Sequence, residues 1–133
     1  MKLTKRPCRR TGAAVVELAV CLPLVFLLAF ASNEVADMLF LKQTLYTSAY
    51  EGARVAIHPG SSATDVTKRC QEILSARGVN GAAVAVEPAN IESQPRGTAI
   101  AVTVTAPSGS NSKLPTWFFT GKSLRARPVM MKE

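Results

Sequence analysis

Three polarity patterns follow one another along this chain: an unbroken apolar run, a spacing of three and four, and a period of two. Residues 13–31 (AAVVELAVCLPLVFLLAFA) are apolar apart from Glu17. As a helix, that run covers about 28 Å, close to the thickness of a bilayer's hydrocarbon core. Beyond it, Val35, Met38, Leu41/Leu45, Ala49, Gly52/Ala53 and Ala56 recur at the spacing of one helix face. There is no proline between Ser32 and Ile57, and His58-Pro59-Gly60 supplies the stop. The pattern predicts one helix from about Ala13 to Ile57. Pro23, inside it, removes a backbone donor and is expected to bend it.

A second helix is predicted from Ala63 to Ala76. Ser62 or Thr64 caps its start, Val66, Cys70, Ile73 and Leu74 form its apolar face, and Gly78 closes it. After Asn80-Gly81 the period changes to two. Ala82 to Glu87 reads as a short strand and Thr98 to Ala106 as the clearest one, with Ile100, Val102 and Val104 on one face. The loop between them is too long for a tight hairpin. Ser123 to Met131 reads as a last strand, held to a sheet edge by Pro128. The aromatic cluster Trp117-Phe118-Phe119 is expected to cover the sheet's core. The fold class is therefore α+β: a long N-terminal helix whose first half is transmembrane, a second helix, and a small antiparallel three-stranded sheet. The organisation is a basic leader (1–12), a membrane helix (13–31) continuing to about 57, and an extracytoplasmic domain (58–133).

Charge sharpens the membrane reading. The chain has 133 residues and a net charge of +7, of which Lys2, Lys5, Arg6, Arg9 and Arg10 supply five. Basic residues beside an apolar run stay cytoplasmic, so the N-terminus is expected inside and the remainder outside. A surplus explained by topology is no footprint for nucleic acid. Cys8, Cys21 and Cys70 fall in three different environments, which excludes a disulfide scaffold, and no CxxC or His/Cys cluster offers a metal site. Cys70 is expected to pack as a small hydrophobe. The single histidine, His58, sits at a helix end, no paired carboxylates share a pocket-like face, and no glycine-rich loop follows a strand. Neither an enzyme nor a cofactor-binding protein is expected.

Glu17 carries the one chemical anomaly. A carboxylate at mid-bilayer costs on the order of 2.5 to 3.5 kcal/mol, and less near the edge. Glu17 is about one helical turn inside the interface, so it either snorkels to the headgroups or meets a cation in the membrane. The α-amino group of a neighbouring chain would serve, if the leader were removed at Gly12. Arg54 has two readings as well. It is a solvent-facing arginine paired with Glu51, or an anchor for a second backbone brought close by the small residues Ala49, Gly52, Ala53 and Ala56.

Gly12 followed by AAVVE, with the acid fifth after the glycine, resembles the cleavage site of type IV prepilins. The version here is similar to the TadE-like proteins of the Tad (Flp, tight adherence) pilus systems. Pro23 lies six residues after Glu17, as in that family's Glu-x5-Pro pattern. Ala49, Glu51-Gly52-Ala53-Arg54 and Ala56 resemble its A-x-EGAR-x-A segment, and VTVT, a proline-containing loop and a closing strand resemble its C-terminus. Leu18 departs from the family's preference for an aromatic residue after the acid. The resemblance implies a pseudopilin cut between Gly12 and Ala13 by a membrane prepilin peptidase. Its other partners would be the lipid bilayer, other pilins or pseudopilins, and the assembly platform. It would reside in the bacterial inner membrane as a single-pass protein, with its C-terminal domain outside. Two alternatives stand beside this. One is an uncleaved signal-anchor protein. The other is a soluble periplasmic binding domain released by a cut after Ala29-Phe30-Ala31.

Overall fold

The computed structural model describes residues 11–112 and 121–133. The basic leader up to Arg10 and the cluster Trp117-Phe118-Phe119 lie outside the described residues. The chain divides into two compact units, 1–33 and 34–133.

Within the first unit, helix α1 (Thr11–Ile57) begins and passes through Pro23 without interruption. The side chains from Ala13 to Phe30 are all exposed. This is the stretch that makes α1 long and apolar enough to cross a membrane.

The second unit opens inside α1, because the helix's second half is packed into the domain. Met38, Leu41, Leu45, Ala49, Ala53 and Ala56 are buried, the spacing that the sequence predicts. Val35 is the exception: it is exposed, and Glu34 takes the inward position beside it. The helix stops at a tight turn in which the Ser61 N–H donates to the His58 carbonyl over 3.3 Å. Gly60 sits at φ +83° within that turn, a conformation that side-chain-bearing residues avoid.

Helix α2 (Ala63–Ala76) has the predicted bounds. Ser62 Oγ accepts from the Asp65 N–H while the Asp65 carboxylate accepts from the Ser62 N–H, a reciprocal capping box. At the other end, the Val79 N–H donates to the Leu74 carbonyl and the Gly78 N–H to Ser75, with Gly78 at φ +67°. That pair of bonds is a Schellman closure.

Strand β1 (Ala83–Glu87), the long β2 (Ala99–Pro107), β3 (Ser123–Ala126) and β4 (Val129–Met131) form one antiparallel sheet centred on β2. β1 pairs along one edge of β2 from Ala83↔Thr105 to Glu87↔Ala101. β3 and β4 share the other edge in a single register, with Val104 opposite Ala126 and Ile100 opposite Met130. The predicted last strand is thus one strand interrupted at Arg127-Pro128. Pro128 has no N–H to give the ladder, but its carbonyl accepts from the Val102 N–H at 3.2 Å. The β1–β2 connection contains a single 3-10 turn, Ile91–Ser93, which drops Ile91 into the core.

The core lies between the two helices and one face of β2. Leu45, Ala49, Ala53 and Ala56 meet Val66, Cys70 and Leu74, with Ile100, Val102, Val104 and Ala106 beneath. On the opposite face Arg127 and Glu87 form an ion pair of 2.7 Å from one edge strand to the other, with β2 between them. Ala101 and Thr103, on that side of β2, are buried despite facing away from the helices.

Candidate functional site

The residues singled out from the sequence fall into an N-terminal group and an EGAR group, both on α1. In the N-terminal group, Gly12 and Ala13 lie in the helix's opening turn, Glu17 about one turn further, and Pro23 beyond. Space around Gly12 is open: a methyl group there would meet nothing within 4 Å. Glu17 is exposed among exposed apolar neighbours, Val16 and Leu18 included. Its carboxylate is therefore presented outward from the helix.

The EGAR group divides by side-chain size. Gly52 and Ala53 point inward and are buried. A Cβ built on Gly52 would stand 2.3 Å from Cys70 Sγ, 3.4 Å from Val66 Cγ1 and 3.5 Å from Val102 Cγ1. Only glycine lets α2 and β2 approach α1 this closely. One turn earlier, Ser48 Oγ donates to the Cys70 carbonyl (3.0 Å) and Cys70 Sγ donates to the Ser48 carbonyl (3.4 Å). Burial pushes the Cys70 thiol above its ordinary pKa, against a smaller lowering from the Ser48 contact. The small-residue stripe is thus occupied by this protein's own second helix and central strand. Of the two readings of that stripe, close packing within the chain accounts for Gly52 and Ala53.

Arg54 and Glu51 remain on the outside. Their side chains meet at 3.5 Å, with 59% of Arg54 and 30% of Glu51 exposed. A solvent-screened pair of this kind contributes about 0 to 1 kcal/mol, so it leaves the guanidinium available to a partner at little cost.

Other residues that organise the domain have no sequence signal. The Asn111 side chain behaves like a backbone amide: Oδ1 accepts from the Asn80 N–H at 2.7 Å, and Nδ2 donates to the carbonyls of Asn80 (2.9 Å) and Pro107 (2.7 Å). Nothing local marks it, because Asn80 is 31 residues away. Lys132 is buried and its ammonium donates to the carbonyls of Ile91 and Glu92. Ser48 was open to detection, since it lies four residues before Gly52 on the buried face.

A shallow cleft is lined by Asp37, Phe40, Leu41, Arg77 and Asn111 among others. Two of its polar groups are engaged, Asn111 as above and Asp37 by a 3.2 Å bond from Ser112 Oγ. Among the described residues, no group of three His, Cys, Asp or Glu could hold a metal ion. His58 is exposed beside the helix-ending turn. The prominent surfaces are those of α1: the exposed apolar span, and further along Val35, Leu39, Phe40, Tyr46 and Tyr50.

The model of the family described as TadE-like protein matches residues 12–54. The match opens at Gly12 and closes at Arg54, so it takes in the glycine, the acid, the proline and EGAR, all carried by α1. That segment of the chain is TadE-like. No curated protein and no solved structure matches the chain.

Proposed function

We propose that this protein is a TadE-like pseudopilin or minor pilin, anchored in the membrane by the first part of α1 and acting in assembly of a Tad (Flp) pilus. The carrying observation is the family match over residues 12–54, a segment that combines a cleavable-type glycine, a membrane-length apolar run and EGAR on one helix. The basic leader sets the N-terminus in the cytoplasm and the domain on the far side of the inner membrane. A prepilin peptidase then cuts after Gly12.

The chemistry of that cut accounts for Glu17. Removal of the leader strips five positive charges and leaves an α-amino group on Ala13 at the membrane face. An amine and a carboxylate of adjacent subunits attract strongly where water is scarce, and a buried carboxylate left alone is costly. Pairing between Ala13 of one subunit and Glu17 of the next would fix the axial stagger of packed helices. Other pilins, the assembly platform and the bilayer are the partners in this reading. The unbroken helix through Ala29-Phe30-Ala31 supports it over release by a cut after Ala31.

The mature N-terminus tests the proposal. Mass spectrometry of the protein from its native membrane should find Ala13; Ser32 would mean a soluble domain, and Met1 or Lys2 an uncleaved anchor. Glu17→Gln should be processed and inserted yet fail to assemble. Normal pilus assembly by that variant would remove the subunit-contact role.

A further inference from the structure

We propose that the lipid-contacting part of α1 runs past Ala31 to Phe40, with Val35, Leu39 and Phe40 seated in the headgroup zone of the outer leaflet. The inference rests on the reading that α1 spans the membrane, and it goes beyond that reading by moving the outer boundary.

Polarity in the sequence places that boundary at Ser32, where Ser-Asn-Glu follows the apolar run. In the folded chain Ser32 and Asn33 stay exposed, but each spends a side-chain donor on the preceding turn, and Glu34 is buried. Ser32 Oγ donates to the Leu28 carbonyl at 2.8 Å and Asn33 Nδ2 to the Ala29 carbonyl at 3.0 Å. Such back-bonds to the preceding turn are how polar side chains are tolerated in a lipid-facing helix. Glu34 is only 6% exposed, and Asp37 is partly buried with Ser112 Oγ donating to its carboxylate. Both acids are turned into the domain.

From Glu34 to Phe40 the exposed side chains are apolar: Val35 is 45% exposed, Leu39 63% and Phe40 67%. Beyond Ser32, Lys42 is the first charged side chain that is exposed. Three large apolar side chains in six residues, continuous with a membrane-length run and followed by a cation that can reach the headgroups, suit the lipid–water boundary of a helix.

The dimensions agree. From Ala13 to Phe40 the helix rises about 40 Å, the full thickness of a bilayer with both headgroup regions. A hydrocarbon core of about 20 residues then runs from near Val16 to near Val35. Glu17 falls at the inner boundary of that core, which lowers the cost of its charge and keeps it within reach of an amine at the membrane face.

The test uses the full chain, with Cys8→Ser and Cys21→Ser, in vesicles of phosphatidylethanolamine and phosphatidylglycerol. Cys70 is buried and stays. An environment-sensitive fluorophore is placed in turn through Leu28→Cys, Leu39→Cys, Phe40→Cys and Tyr50→Cys. Labels at 39 and 40 should show blue-shifted emission and be quenched by a nitroxide carried near the lipid headgroup. The label at 50 should be quenched only from water, and that at 28 only by a nitroxide deep in the acyl chains. If 39 and 40 behave like 50 while 28 stays deep, the extended boundary is wrong and the membrane span stands. If 28 is quenched from water as well, the spanning helix itself is wrong and this inference falls with it.

Discussion

Gly52→Ala is the sharpest test of how the EGAR segment is used. The new Cβ would stand 2.3 Å from Cys70 Sγ, well inside van der Waals contact. The sulfur has little freedom to move: Cys70 is buried, and its thiol donates to the Ser48 carbonyl. Relief must come from α2 moving away from α1, which strains the Ser48–Cys70 bonds as well. Overpacking of this kind costs about 1 to 3 kcal/mol. Alanine in place of glycine inside a helix returns about 1 kcal/mol, so the net destabilisation should reach about 2 kcal/mol at most. The direction is the informative part, because in an exposed helix the same substitution stabilises. The assay is thermal unfolding of the full chain in detergent, followed by circular dichroism, with the rate of Cys70 modification by a thiol reagent as a second readout. Cys70→Ala removes the obstructing atom, so the double variant Gly52→Ala/Cys70→Ala should be more stable than the two single changes predict. A contact of this type couples two residues by about 0.5 to 3 kcal/mol. If Gly52→Ala melts clearly above the parent temperature, as the same change does in an exposed helix, and leaves Cys70 unreactive, α1 and α2 are not packed as described.

The remaining predictions concern groups whose environments differ in kind. Burial raises the Cys70 pKa, so the stability its protonated thiol contributes is complete below the unfolded thiol's pKa and is lost as pH climbs toward the folded value. Unfolding temperatures should therefore fall on the alkaline side, and Cys70→Ala should flatten that limb. Hydrogen bonds from the Ser62 side chain and backbone lower the Asp65 pKa. Its contribution is present above the unfolded carboxyl pKa and fades as pH drops through the folded one, so Asp65→Asn should weaken the acid limb of the stability profile. An unchanged limb would mean that the capping box carries no pH-dependent stability. Thr103 Oγ1 is buried with no hydrogen-bond partner among the described residues. Replacing an unsatisfied hydroxyl by a methyl of the same shape removes a penalty of about 1 kcal/mol, so Thr103→Val should raise the melting temperature; a clear fall would show that the hydroxyl has a partner.

Much of this architecture is written locally. Helix α2 is legible because Ser62, Asp65 and Gly78 are start and stop signals within a few residues of the helix they bound. β2 is legible from its alternation, although its second face is also largely buried, since an ion pair between strands 40 residues apart spans it. The interruption of the last strand follows from Pro128, yet the shared register of β3 and β4 is a property of β2 that no local pattern encodes. Val35 fits the helical spacing and still faces outward: spacing locates a face but not the point where a domain begins to cover it. Ile91 was lost in a loop because a single buried residue has no period. At the candidate site, small residues on a helix announced close packing but not the partner. Gly52 looks alike in sequence whether Cys70 of its own chain or a neighbour's backbone lies opposite.

The sheet's arrangement also bears on when the domain becomes whole as the chain is made. β2 can take β1 along its first edge as soon as residues 83–107 are free to fold, but its second edge belongs to residues 123–131. Until those have been made and have joined it, β2 presents a row of unpaired N–H and C=O groups, a template for any passing strand. Closure then fixes several parts together: Lys132 caps the Ile91 and Glu92 carbonyls, and the Glu133 N–H bonds the Ile57 carbonyl at the end of α1. The interval between those two moments is when the chain is most exposed to wrong pairing, and when a chaperone would be needed most.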